Sequence, residues 1–428
     1  MSIVLGPQEP AIVRGIKTVG VGKKGSKALT EDLVREILED LKARKVSPAA
    51  QGAFFAGLLA KGIEPHEKVF AQGFAPGVFE NPQKLIEAIA SDSPDFVRWI
   101  CVQLLSGHTL DKHTAYDLGK FLFSDGPGDG ARGLIASFLR VRYETDDEYE
   151  GLLKAMHETL IPTFTSLPPQ GAPIVQLAEP FDGVDHSYMI TPLIGQYIQS
   201  LGYRSVHMVS KNSGPKTVMN LWDIACALEQ QPMKSSSDLA CDRPPFGWFC
   251  YENFISQAVE RWHIIRRQTI KRPFMSTIER FINPFKANMI IASAFHPPYG
   301  EKMVTMAERA GFEAIVIVRN GIEGTMAFPL KRPVKMLLSA RQKDNTYKHH
   351  ELIFDVESFL GVNIPLEEKV DPTAKDNACL ITDYLDRGTS GNEFFDLRLK
   401  ATREGLKQAL HWFEQQTHQT NMVRQEYD

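Results

Sequence analysis

PIVQLAEPFDGVDHSYMITPLIGQYIQSLGYRSVHMVS, residues 173–210, decides the fold. It opens on a short apolar run (PIVQL, 173–177). TPLIGQYIQSLGY follows as an amphipathic helix closing at Gly202, and SVHMV (205–209) is a second apolar run. Short runs rich in Val and Ile, apolar on both faces, predict strands of a parallel sheet, with the intervening helix as the crossover. The plan returns at NMIIAS (288–293), a helix from Pro298 to Ala310, and AIVIV (314–318). Two such units predict a mainly parallel α/β sheet with right-handed connections.

Upstream the rhythm is helical. Thr30 caps a segment whose Leu33, Ile37, Leu38 and Leu41 share one face, and Ser47-Pro48 opens GAFFAGLLAKG, which runs to Gly62. Ser93-Pro94 starts another helix. Thr145 opens TDDEYEGLLKAM, with Glu148 completing a capping box. A constant offset of 81 residues places Leu29 on Leu110, Leu41 on Leu122, Ala50 on Ala131, Gly52 on Gly133, Leu58 on Leu139 and Glu67 on Glu148. The repeat predicts two helical hairpins packed side by side. IPTFTSLPPQGAP (161–173) is proline-rich, continues no helix, and reads as a linker. Residues 251–282 are helical again, and 374–416 hold two further helical stretches. The expected fold class is α + α/β.

The whole chain has ordinary globular composition: 428 residues, 43% hydrophobic and 23% charged, with a formal charge of −4. Bulk charge gives no support to a dedicated duplex-DNA binder. The start lacks the charged and apolar regions of a secretory signal, and no run reaches the ~18 apolar residues that cross a bilayer. Five cysteines without a CxxC pair read as reduced, structural thiols of a cytoplasmic protein.

Ligands of an open parallel sheet bind beyond the carboxyl ends of its strands. Three loops lie there. EPFDGVDHSYMIT leads to Thr191-Pro192, where a helix start suits phosphate, although Thr191 is equally an ordinary helix cap. SKNSGPKT (210–217) places Ser210, Lys211, Ser213, Gly214 and Lys216 before an apolar helix, a composition fit for a phosphate cradle and also for a solvated loop. RNGIEGT (319–325) sets Glu323 between two glycines, where a carboxylate holds Mg²⁺ on a pyrophosphate or simply faces water. His296 stands at another strand end.

The order of these pieces resembles the anthranilate phosphoribosyltransferases over about residues 100–415. LDKHTAYDLGKFLFSDGPGDGARGLIASFLRVRYETDDEYEGLLKAM is similar to that family's helical domain, SGPKTVMNLWDIACAL to its SGS-x-DVLEALG helix, and FHPPYGEKMVTMAERAGFEAIVIV to its FHP…MA…LG segment. INPF resembles the family's asparagine-proline, and DNACLITDYLDRG with FFDLRLKATREGL its last helices. The repeat marks 1–98 as a helical extension, and the resemblance implies a helical domain at 99–165 to which 251–282 returns, and an α/β domain at 172–420. It implies pentosyl transfer from phosphoribosyl pyrophosphate with Mg²⁺, and a homodimer. Asp182, Gly183, Thr191, His207, Lys211, Ser213 and Gly214 would bind a phosphorylated sugar or nucleotide-like ligand. Lys271 and His296 would take the acceptor, and Glu323 the metal. No residue is assigned a catalytic role.

Departures from the family pattern oppose anthranilate transfer. Ala178, Glu179, Pro180 and Phe181 replace the start of the GTGGDG loop, and Glu179 is expected to repel phosphate. Lys271 replaces an arginine and loses its bidentate fork, and Gly324 removes one carboxylate of the metal pair. IKTVGVGKKGSKALT (16–30) resembles paralogues that bind nucleic acid without transferase activity. The alternative reading therefore makes Lys17, Lys23, Lys24, Lys27, Arg266 and Arg267 a patch for single-stranded nucleic acid.

Overall fold

The computed structural model describes residues 9–21, 25–166, 170–211, 213–214, 218–361, 364 and 369–425; side chains are described there except at 297 and 417–425. Two compact units divide the chain: Met1–Glu158 with Ala258–Ser276, and Thr159–Gln257 with Thr277–Asp428. No helix among the described residues is long and apolar enough to cross a membrane.

The first unit is helical, and the 81-residue offset reappears in its contacts. Glu67 is fully buried and accepts from Leu29 N (3.0 Å), Glu64 N (2.8 Å) and Lys61 Nζ (2.8 Å). Its counterpart Glu148 is also fully buried and accepts from Leu110 N (3.0 Å), Thr145 N (2.8 Å) and Arg142 (2.5 Å). Each carboxylate thus closes a capping box and ties the chain 38 residues back, at the head of the preceding hairpin. Helices Pro48–Lys61 and Asp129–Arg142 cross at near-zero clearance. A Cβ on Gly52 would lie 2.0 Å from Gly130 O, and one on Gly133 would lie 1.9 Å from Ala49 O. The two clashes are related by the same offset. Trp262, on the returning helix Gln257–Thr269, donates Nε1–H to Leu122 O (2.9 Å) and packs edge-on against Phe123 and Phe274.

The second unit holds a seven-stranded sheet in the order β3-β2-β1-β4-β5-β6-β7. Its strands are β1 Ile174–Ala178, β2 Arg204–Val209, β3 Trp248–Tyr251, β4 Met289–Ala294, β5 Ala314–Arg319, β6 Val334–Arg341 and β7 Tyr347–Phe354. The first five run parallel, while β6 and β7 form an antiparallel hairpin on β5. Connections leave β1 toward β2 on one side, and β4 continues on the other. The crevice beside the end of β1 is therefore the switch point of a doubly wound sheet. Helices Thr191–Ser200, Ala374–Arg387 and Glu393–Gln425 contribute Leu193, Ile194, Ile381, Phe395 and Leu399 to one core with Val175, Ile291 and Val316. All five cysteines are free. Cys101 and Cys250 are buried, but Cys226, Cys241 and Cys379 are exposed and do not pack as core thiols.

Removing either buried carboxylate strands the backbone N–H groups it accepts from, at about 1–3 kcal/mol for each buried donor. Glu148→Ala and Glu67→Ala should each lose stability on that scale in urea titrations. Gly133→Ala should behave similarly through overlap with Ala49 O.

Candidate functional site at the sheet rim

Three loops meet at the carboxyl end of the sheet. Gly183, in the loop after β1, has φ +84°, and a Cβ there would stand 2.3 Å from Met219 O. Gly324, after β5, has φ +91°, and its Cβ would stand 2.1 Å from Gly183 O. Only glycine adopts such backbone freely and leaves room for it. Val184 N donates to Met219 O (2.9 Å), fastening the first loop to the segment after β2. The β1 loop at Gly183 is thus in backbone contact with Met219, in the segment after β2, and with Gly324, in the loop after β5.

Helix Thr191–Ser200 begins at this rim. Its N-cap is Ile190 and no side chain caps it, so Thr191 is the first helical residue and not the cap. The positive end of the helix points into the rim. Thr191 and Ser213 are fully buried, and neither hydroxyl makes a well-formed hydrogen bond.

Glu179 stands at the head of the β1 loop, 1% exposed. Its Oε1 accepts from Thr325 Oγ1 (2.6 Å) and Met326 N (2.8 Å), while Oε2 is buried without a partner. Burial pushes its carboxyl pKa up; the Thr191 hydroxyl beside it, Thr325 and Met326 N work in the opposite direction. Desolvation thus works against the charged form of the residue that the sequence presents as a phosphate-repelling anion.

Other predicted residues are placed as follows. Asp182 and Gly214 are buried in the rim loops, Glu323 is half-buried, and Lys211 is exposed. His296 is exposed beyond β4, edge-on to Phe295. His207 is not with them. It lies inside β2, fully buried and stacked on Phe249 at 4.6 Å, with Nε2 2.8 Å from Phe246 O. Burial pulls its pKa down to about 4, so it is a neutral core imidazole. Lys23 and Lys24 lie outside the described residues, as do Pro215 and Lys216.

In the helical unit, Lys271 is half-buried with Nζ 3.5 Å from Lys17 O. Its pKa is lowered by burial and then by the like charges of Arg140 and Lys17. Lys17 is exposed and also pairs with Glu9. Lys27 and Arg267 are exposed, but Arg266 is 1% exposed and presents no guanidinium to solvent.

Sequence reasoning missed the groups that hold the first loop. Asn377 accepts from Met189 N (2.8 Å) and donates to Met189 O (2.9 Å), and Arg398 donates to Ser187 Oγ (3.0 Å). A polar residue in the apolar face of DNACLITDYL was the available signal for Asn377.

A helical unit and a doubly wound sheet whose β1, β2 and β5 loops share one rim make the chain anthranilate phosphoribosyltransferase-like in fold. No family model matches it. The crystal structure of anthranilate phosphoribosyltransferase from Thermus thermophilus aligns with TM-score 0.53 at 17% identity, covering 75% of this chain and 98% of that one. The Saccharomyces cerevisiae enzyme in complex with PRPP and Mg aligns with TM-score 0.52 at 15% identity, covering 73% and 94%. In sequence, an uncharacterized protein of Aquifex aeolicus (strain VF5) is 23% identical over 291 residues, 68% of this chain and 84% of that protein. Anthranilate phosphoribosyltransferase of Geobacillus sp. (strain WCH70) is 24% identical over 236 residues, 52% of this chain and 65% of the enzyme.

The buried imidazole sets an acid limit. Unfolding lets His207 charge near its ordinary value, whereas the folded state holds it neutral down to about pH 4. Stability from this source is complete above about pH 6.5 and falls as pH drops through 4, by up to about 3 kcal/mol. His207→Gln should flatten that part of the stability profile measured by chemical denaturation.

Proposed function

We propose that this chain binds a phosphorylated sugar or nucleotide-like ligand at the rim of its sheet, as the donor half of a pentosyl-transfer site altered in its substrates. One observation carries the reading. Two fully buried hydroxyls come from different loops, Thr191 beside the Glu179 carboxyl and Ser213 without a partner in hydrogen-bond geometry, and they accompany an uncapped helix start. Buried donors without partners are costly, and a phosphoryl oxygen is the acceptor that suits them. The family-like fold and the neighbouring enzyme's complex with PRPP and Mg support the same ligand class.

Mg²⁺ would enter with the ligand. Glu323, half-buried in the β5 loop, is the carboxylate that would hold it, and the ion would neutralise phosphate charge on the ligand. Lys271, a point charge, offers no planar fork for a carboxylate such as anthranilate, and anthranilate is not the acceptor proposed.

Calorimetry with phosphoribosyl pyrophosphate and Mg²⁺ should give saturable heat, and Thr191→Val should weaken binding about tenfold by removing one hydrogen bond to a charged group. No heat with any phosphorylated sugar up to millimolar concentration would refute the reading.

A second reading, binding of single-stranded nucleic acid by the helical unit, is favoured by the proximity of Lys271, whose Nζ lies 3.5 Å from Lys17 O, to the charges of Lys17 and Arg140. Oligonucleotide affinity should then fall with salt, and Lys17→Ala or Lys271→Ala should reduce the log–log slope by about 0.7 each. Salt-independent binding would rule this out.

A further inference from the structure

The position that closes the rim is a carboxyl group, and its two oxygens are treated differently. Oε1 of Glu179 takes two donors, Thr325 Oγ1 at 2.6 Å and Met326 N at 2.8 Å. Oε2 is fully buried and makes no hydrogen bond of good geometry, the Thr191 hydroxyl being the remaining group beside the carboxyl. A carboxylate shares its charge between both oxygens, and burying one of them bare is unfavourable. A carboxylic acid fits the arrangement better, with Oε1 as the carbonyl accepting both donors and Oε2 bearing a proton to give. Burial is the largest influence on the group, opposed by the donors Thr191, Thr325 and Met326 N. Asp182, Asp185 and His186 on its own loop, Glu323 on the β5 loop, and His207 and Lys211 on the β2 side are ionisable groups of the neighbouring elements.

We propose that Glu179 serves the rim as a neutral acid whose Oε2–H is a hydrogen-bond donor to the bound phosphoryl group, so that anion binding is linked to retention of one proton. This role rests on the rim reading proposed above and adds its pH control. Glycine at this place would let backbone approach an anion. A neutral glutamic acid instead supplies a side-chain donor next to the Thr191 hydroxyl, at the start of the helix. Its deprotonation would leave a buried negative charge facing a negative ligand, which low dielectric makes costly. The same seat would thus accept a phosphoryl group at low pH and reject it at high pH.

The test is titration of the full chain with inorganic sulfate, whose charge does not change between about pH 5.5 and 8.5, by calorimetry or by shift in melting temperature. The wild type should bind at the acid end, with affinity flat at first and then falling by up to about tenfold per pH unit once Glu179 ionises. Glu179→Gln, which mimics the acid permanently, should bind with an affinity that is constant over the range. Any contribution from exposed His186 and His296 is common to both proteins and cancels in the difference. Thr325→Val removes a donor that favours the charged form, so its fall should begin at higher pH than that of the wild type. This variant also serves if Glu179→Gln melts without cooperativity. Parallel pH profiles for all three proteins would overturn the role of Glu179 while leaving sulfate binding at the rim intact. Absence of sulfate binding at every pH, in every variant, would overturn the rim reading and this inference with it.

Discussion

Backbone packed directly on backbone at Gly183 governs the ligand-facing end of the sheet. One face of that residue lies against Met219 and the other against Gly324, so three loops from β1, β2 and β5 are brought to one place without any side chain between them. A larger residue at 183 or 324 would separate them and strain the backbone at the same time. Thr191, Ser213 and Glu179 are all buried at this rim. The loops are held from outside by Asn377 and Arg398, which carry the last helices' hydrogen bonds to Met189 and Ser187.

Much of this architecture could be read from the amino acids. β1, β2, β4 and β5 are buried on both faces and appear as continuous apolar runs, and helix Thr191–Ser200 shows both its periodicity and its proline near the start. β3 is only four residues long and follows a proline-rich turn, so it gave no pattern of its own. β6 and β7 escaped for another reason: in YKHHELIF the edge strand turns polar side chains to water, and its partner completes an antiparallel hairpin where parallel units were expected.

The site was legible only as a set of loops. Position at strand ends singled out Thr191, Ser213 and Glu323, but the sequence carries no record of burial, and burial decides what Glu179 is. Seen in the string, it is a negative charge in place of a glycine. In the fold it meets Thr325 and Met326, 146 and 147 residues further along the chain, and loses its water. His207 erred the other way, since a strand ending in a predicted phosphate loop hid the fact that its ring stacks in the core. Arg266 shows the same limit: a run of basic residues on one helix does not say which of them the helix turns inward.

The reciprocal fit of Gly52 with Gly130 and of Gly133 with Ala49 is the kind of contact that two identical subunits make across a twofold axis. Here both halves sit on a single polypeptide. Their encounter is therefore governed by a tether of a few dozen residues, equivalent to a millimolar local supply of partner, and does not weaken when the protein becomes scarce. A pairing that separate subunits would lose on dilution is thereby kept at any concentration of the protein.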